Sequence, residues 1–446
     1  MFFHIILNLK YGIINTRKDY EIRSIAYIIS IMNHTKKTKL TPLEIKWIFY
    51  DVGNSAFILL VATILPIYFN SLSTAAGIAE SDYLSYWSYA SSISTLIVAI
   101  LGPILGTIAD YKGNKKKIFL TSALLGPLCL ASFWIPSYWL TFLTLYVAAK
   151  ICYSLSLVFY DSMLVDVTTD DHIDSVSTKG YAWGYIGSCV PFIISLVFIL
   201  MNEKIGISAN TAMIIAFTIN AIWWILFTIP LAKSYKQKYY IEPQKHVIKD
   251  TFARLKNTII NARQHKKIFM FLLAFFFYID GVYTVIDLAT AYGTSLGLDS
   301  TGLLLALLLT QVVAFPASLI FAKLSKVKDT GNLIKVCIFA YFCIALFAIQ
   351  LDKQWEFWLL AVAVGCFQGG IQALSRSYFA RIIPENSSGE FFGLFDICGK
   401  GASFLGLLIV GFITQITGHQ NIGVAAITIM FVIGFFIFGK VCKIEE

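Results

Sequence analysis

Long, uninterrupted blocks of apolar residues constrain this chain more than any other feature of its sequence. About twelve such blocks follow one another between positions 47 and 441, each close to the roughly 20 residues that a helix needs to span a bilayer. Only helices and closed barrels satisfy their backbone hydrogen bonds inside a bilayer, and these blocks are too continuous for the alternating strands of a barrel. We therefore predict an all-α polytopic membrane protein with about twelve transmembrane helices.

The composition agrees with a bilayer environment and excludes several other classes. Hydrophobic residues make up 57% of the chain, charged residues 14%, and the mean hydropathy is +0.72. The formal net charge of +9 does not indicate a nucleic-acid partner, because the basic residues lie between the apolar blocks and not on one soluble face. The 8 cysteines lack metal-ligand spacing. We expect a monomer in the lipid bilayer, with no nucleic acid, cofactor or metal.

One long polar stretch divides the apolar blocks into two sets of six. Two six-helix bundles of this kind are a known transporter plan. Met32 opens a short basic lead-in, so we expect residues 1–31 to be absent from the natural product. The predicted organisation is a cytoplasmic N-terminal segment at 1–46, a six-helix bundle at 47–231, a cytoplasmic basic linker at 232–267, a second six-helix bundle at 268–441 and a cytoplasmic tail at 442–446.

The distribution of basic residues predicts the orientation. Lysine and arginine cluster before the first block, after the second, in the central stretch and after the eighth, which all lie on one side if the helices alternate. The opposite loops carry only Lys204 and Lys353. Because basic loops stay in the cytoplasm, both termini should be cytoplasmic. Frequent Ile, Lys and Asn indicate an AT-rich bacterial genome and an inner-membrane location, with a vacuolar membrane as the alternative for a eukaryotic source.

The loop between the second and third blocks carries a motif. Residues 106–117 read Gly-Thr-Ile-Ala-Asp-Tyr-Lys-Gly-Asn-Lys-Lys-Lys. Gly106 allows close helix approach, Asp110 can cap a neighbouring helix or pair with a basic side chain, and Gly113 can turn the chain. The segment resembles the Gly-x-x-x-Asp-Arg-x-Gly-Arg-Arg signature of the major facilitator superfamily, in the same loop. An ordinary basic turn is the alternative.

Further motifs narrow this resemblance. They are Tyr50-Asp51-Val52-Gly53-Asn54-Ser55-Ala56-Phe57, Phe159-Tyr160-Asp161, Gly184-Tyr185-Ile186-Gly187, Asp280-Gly281, Gln368-Gly369-Gly370-Ile371-Gln372-Ala373-Leu374-Ser375-Arg376-Ser377, and Glu390-Phe391-Phe392-Gly393 through Gly399-Lys400-Gly401. Together they are similar to the vacuole-effluxer-like branch of the superfamily, from about residue 50 to 438. The resemblance implies efflux of amino acids or related metabolites. Asp161 and Tyr283 stand where this branch would have Asn and Gln.

Ionisable side chains inside the apolar blocks are costly in a bilayer and are therefore functional candidates. Asp280 lies in an apolar run without a basic residue in reach along its own helix, and Asp287 follows seven positions later on the same helical face. Asp51 lies near the start of the first block. We expect protons or another ion to be coupled through these carboxyl groups, with Asp280 as the first candidate. For Asp51, a helix cap or an ion pair with Lys46 is the open alternative.

Polar side chains also recur at helical spacing in the tenth block. Gln368, Gln372 and Arg376 are four residues apart and form a stripe, which we expect to line a hydrophilic cavity. Arg376 is a gate or a structural ion pair, and Lys400 can pair with Asp396 at i, i+4 in a structural role. The predicted substrate-binding residues are Asn54, Tyr160, Tyr283, Gln368 and Gln372.

These observations favour a secondary transporter that moves a small polar metabolite by alternating access. An integral-membrane enzyme would need a cluster of histidines, paired carboxylates or a nucleophile with its base, and the histidines are scattered in or near loops. A membrane scaffold or receptor without transport would have a sealed apolar interior, which the polar stripes argue against.

Overall fold

A computed structural model describes residues 39–78, 80–135, 138–242, 251, 253–254, 258 and 265–444. Residues 43–446 form one compact unit. Residues 1–38 of the predicted N-terminal segment and much of the predicted linker 232–267 lie outside the described residues, so the division into two bundles remains a prediction. Twelve long helices are seen: α1 (Pro42–Ala62), α2 (Glu80–Ala109), α3 (Asn114–Ala131), α4 (Trp139–Ser162), α5 (Ile173–Leu200), α6 (Ala209–Ser234), α7 (Lys266–Ser295), α8 (Ser300–Leu324), α9 (Thr330–Ala348), α10 (Gln354–Ile382), α11 (Ser388–Thr417) and α12 (Gln420–Val441).

The first helix begins earlier than the sequence predicted. α1 starts at Pro42 and has Glu44 in its first turn, because proline suits the first helical position and a carboxylate there complements the helix dipole. The helix breaks at Thr63 and continues as Ile64–Ala75. The first span is therefore a bent pair of helices, which the hydrophobic pattern alone did not reveal.

Most of the helices suit a bilayer. Eleven helices among the described residues are long and apolar enough to cross a membrane, and α11 is the one of the twelve outside that set. The described residues contain no strand apart from an isolated bridge between Tyr111 and Ile241. Large apolar side chains such as Leu200, Phe412 and Phe436 are exposed on the outside of the bundle, where lipid replaces water. The prediction of an all-α polytopic membrane protein is confirmed.

Two ends of the bundle are distinguished by the loops that meet there. We call the end at residues 110–113, 163–172, 235–242, 325–329 and 383–387 the basic side, and the opposite end the far side. Lys112 binds Glu242 at 3.0 Å, and Thr330 donates to Asp174 at 2.6 Å, so loops distant in sequence meet at the basic side. The basic loops after α2 and α6 lie together there, as the alternation of helices predicted.

The helices of the first half (α1–α6) meet those of the second half (α7–α12) along two main lines. α2 packs along α11, and α5 packs along α8 and α10. The α2 and α11 backbones approach so closely that a Cβ on Gly106 would lie 2.2 Å from the carbonyl oxygen of Gly389. Residues Gly102 and Gly106 face Gly393 and Gly389, so a small-xxx-small pair on each helix allows this contact.

Candidate functional site

A buried ion cluster joins the two halves near the basic side. The guanidinium of Arg376 on α10 binds Asp161 of α4 at 2.9 Å and Asp51 of α1 at 3.4 Å. It also donates to the hydroxyl and the carbonyl of Ser177 on α5, both at 2.9 Å. Arg376 is only 2% exposed. One side chain of the second half is therefore held by three helices of the first half.

Aromatic rings enclose this cluster. The guanidinium carbon of Arg376 lies 4.7 Å from the ring centre of Trp47, 5.6 Å from that of Tyr160 and 4.3 Å from that of Tyr181. Trp47 and Tyr160 stack with their centroids 4.2 Å apart. The hydroxyl of Tyr160 has no hydrogen-bond partner among the described residues. Rings around a cation add cation–π attraction and exclude water from the ion pairs.

The sequence named Arg376, Asp51 and Tyr160 separately, and the fold brings them together. Asn54 supports the same cluster from within α1, because its amide donates to the Tyr50 carbonyl at 2.8 Å and to Asp51 at 3.4 Å. Asn54 is buried, so it orients Asp51 in this state. Lys46, the alternative partner for Asp51, instead donates to Ser234 at 2.6 Å.

A second polar layer lies closer to the basic side, around Asp174 at the start of α5. Its carboxylate accepts from Thr330 at 2.6 Å, from Arg381 at 2.9 Å and, over a short contact, from Ser377. All three donors belong to the second half. The sequence reading missed this carboxylate, because an acidic residue in the first turn of a helix is usual.

A third contact locks α2 to the N-terminus of α11. Asp110 accepts from the backbone amides of Gly389 at 2.7 Å and Glu390 at 3.0 Å, which are free donors at a helix start. Arg254 lies 3.7 Å from Asp110 and 2.9 Å from Glu390. Both contacts that the sequence allowed for Asp110, a helix cap and a basic partner, are present. Burial raises the pKa of the Asp110 carboxyl to about 7, although Lys115, the two amides and Arg254 oppose this shift.

The loop chemistry around Asp110 follows the motif. Gly113 has φ +77°, a left-handed conformation that glycine adopts without strain, and it starts α3. Lys115 is fully buried and donates to Ser388 of the second half at 2.7 Å. Its carboxylate partner, Asp166, lies at 3.4 Å. This turn therefore contributes directly to the contact between the halves, beyond the ordinary basic turn that was the alternative.

Polar side chains nearer the far side are more exposed than those of the three contacts described above. Tyr283 and Gln372 are half-buried and Asp287 is exposed, although all three lie inside helices of apolar sequence. Tyr185 of α5 donates to Gln372 of α10 at 3.1 Å. The described cross-half hydrogen bonds of α4, α5 and α10 reach no further toward the far side than this pair. Beyond this pair, polar side chains on α7 of the second half and on α4 of the first half stay partly exposed, and we call the region between them the polar space.

Lys150 of α4 belongs to this open region and was missed by the sequence reading. It interacts electrostatically with Asp287 of α7, and its ammonium lies 5.8 Å from the ring centre of Tyr146. A lysine near the middle of an apolar block is a signal that could have found it.

Asp280 has different surroundings from Asp287, although both are on α7. One of its carboxyl oxygens accepts from the backbone of Gly406 on α11 at 3.1 Å and from Thr284 at 3.3 Å. Its other oxygen has no hydrogen-bond partner among the described residues. Asp280 thus contacts α11 within its own half, while Asp287 interacts with Lys150 of α4, so the two carboxyl groups share a face of α7 but meet different neighbours along it. The side chain of Lys400 lies outside the described residues.

Comparison with known proteins supports a transporter assignment. The chain is 43% identical to the MFS-type transporter YxiO of Bacillus subtilis (strain 168), over 90% of this chain and 94% of the relative. It is 25% identical to autophagy-related protein 22 of Coccidioides immitis (strain RS), over 76% of this chain and 69% of the relative. The human organic anion transporter MFSD10 (TETRAN) has the same fold, with a TM-score of 0.68, 12% identity and coverage of 89% of this chain and 98% of that structure.

The helical fold, the polar contacts between its halves and these relatives define a membrane transporter of the major facilitator superfamily. A family model described as vacuole effluxer Atg22 like matches residues 43–173 and 165–443. The chain belongs to this Atg22-like family.

Proposed function

We propose that the protein moves a small polar metabolite, of the amino-acid class or a related one, across the membrane by alternating access. The observation that carries the proposal is the asymmetry of the interior: three polar layers close the basic side, around Arg376, Asp174 and Asp110, while polar groups toward the far side are half-exposed. A scaffold would have no need of a polar interior closed at one end. In a carrier, breaking these three layers opens the other route.

The basic side is the cytoplasmic side in this proposal, since basic loops remain in the cytoplasm. The structure then represents a state closed to the cytoplasm. Reporter fusions at Asn114 and at the C-terminus should report a cytoplasmic location, and fusions at Gly77 and Asn210 the opposite one. The reverse pattern would refute the orientation.

Coupling is proposed to run through Asp51 and the Arg376 cluster. The cluster pairs two carboxylates with one guanidinium, so its fully ionised form has one negative charge in excess in a poorly solvated place. Uptake of one proton removes that charge. It also weakens the hold of the first half on Arg376, which Asp280 cannot do because its described contacts stay within the second half. Other titratable groups that face the cluster are Tyr160, Tyr181, Tyr283 and Asp396.

The test is solute flux in proteoliposomes with an imposed pH gradient, using a panel of labelled amino acids. We expect Asp51→Asn to exchange solute at near the wild-type rate, because the amide resembles the protonated acid, and to lose accumulation driven by the gradient. Asp280→Asn and Asp287→Asn should keep accumulation. Loss of accumulation in Asp280→Asn alone would return the coupling role to that residue, and absence of flux for every solute would refute transport of this class.

A further inference from the structure

A side pocket in the second half lies next to the polar space and has no occupant assigned to it. It is formed between α7, α8 and α10, and it offers about 50 Å³ to water-sized occupants. One water needs only roughly 10–15 Å³ of such space. The pocket can therefore hold a group of several heavy atoms.

The pocket has mostly apolar walls and three polar lining residues, Thr310, Gln311 and Gln368. Val285, Leu307, Phe357, Ala361 and Val364 form much of its wall. An aliphatic group gains free energy when it leaves water for contact with walls of this kind. The apolar part of the pocket therefore suits an aliphatic group of a ligand.

Gln368 is one of the polar residues that line the pocket. It is 7% exposed, and its side-chain carbonyl oxygen accepts no hydrogen bond from the described residues. A buried acceptor without a donor is destabilising, so this oxygen is suited to a donor brought by a ligand. The neighbouring turn of α10 carries Gln372, which binds Tyr185 across the two halves. The pocket is thus one helical turn from the inter-half contact.

We propose, on the basis of the transport function above, that this pocket binds the aliphatic part of the transported solute while Gln368 accepts a hydrogen bond from its polar part. The solute class is then a small molecule in which an N–H donor lies beside a short aliphatic group. Selectivity among solutes would come from the fit of that group between Val364 and the facing wall.

A direct test uses the full chain in detergent with Ala361→Cys as the only reactive cysteine. Its modification by ethyl methanethiosulfonate is followed with isovaleramide, which has both features, or acetamide, which has the donor alone. We expect isovaleramide to protect at about fiftyfold lower concentration, because roughly three buried carbon groups are added. Gln368→Leu should weaken protection about fivefold, as for loss of one hydrogen bond.

A substitution that fills the pocket with a larger side chain gives a second test of protection. Val364→Phe should abolish protection by isovaleramide, whereas Leu359→Phe, on the outward face of the same helix and 51% exposed, should not change it. Equal protection by the two amides, or none by either, overturns the pocket proposal. Protection without flux of any solute would refute the transport function and leave the pocket in place. If the Val364→Phe protein and the wild type transport solutes with the same preference, the pocket proposal is refuted and the transport function stands.

Discussion

Replacing Arg376 with glutamine is expected to stop transport and to destabilise the protein markedly. The change leaves Asp51 and Asp161 buried with no cation between them. Removal of one partner from a buried ion pair typically costs about 3–5 kcal/mol. Because these ion pairs bridge the two halves, the cost falls on the closed state, and at about 1.4 kcal/mol per factor of ten its population, and with it the flux, should fall by about two orders of magnitude. The measurements are exchange in proteoliposomes and the thermal unfolding midpoint in detergent.

Controls separate charge from geometry in this prediction. Arg376→Lys keeps the charge but cannot reach the carboxylates of α1 and α4 and Ser177 at once, so it should recover stability more than transport. Arg381→Gln removes the other arginine of α10, whose side chain is 30% exposed, and should cost much less. Adding Asp161→Asn to Arg376→Gln should restore part of the stability. An Arg376→Gln protein with wild-type flux and unfolding midpoint would contradict a role for this cluster in either folding or gating.

Gly106→Val is expected to prevent closure of the basic side. Any Cβ at this position would lie 2.2 Å from the carbonyl oxygen of Gly389, so α2 and α11 must separate. Their separation withdraws Asp110 from the amides at the start of α11. Transport should be lost, because the state closed on this side can no longer form.

The matched control is Gly439→Val, since a Cβ on Gly439 meets no atom within 4 Å and valine has the same helix propensity at both sites. Ser388→Cys, at a fully buried position beside Lys115, serves as the reporter in both proteins. A hydrophilic maleimide applied from the basic side should label it in the Gly106→Val protein and not in the Gly439→Val protein. Normal transport by Gly106→Val, or equal labelling in both, would show that the close approach is unnecessary.

Several elements of the fold followed from local sequence. The apolar blocks predicted the helices, because a bilayer offers the backbone no hydrogen-bond partners. Residues 106–113 predicted a close approach at Gly106 and a turn at Gly113, and both are present. The Thr63 break was not predicted, since apolar residues continue on both sides of it, although Pro66 has no backbone N–H to donate to the carbonyl of Ala62, where the helix ends.

The site was only partly visible in the sequence. The stripe of Gln368, Gln372 and Arg376 follows from helical periodicity alone. The binding partners of Arg376 do not follow from periodicity, because Asp51 and Asp161 are more than 200 positions away in the sequence. For the same reason Asp174 was missed, and Asp280 ranked above Asp51 while the partners of both were unknown.

The sequence by itself determined the membrane class, the helical fold, the sharing of one side by the basic loops and the family resemblance, because each depends on hydrophobicity, charge or motifs within one segment. The tertiary structure alone decided which carboxylates join the two halves, which face α11 instead, and which end of the interior is closed. Those outcomes depend on how helices far apart in the chain pack against one another, and no local pattern encodes the rotation of one helix relative to another.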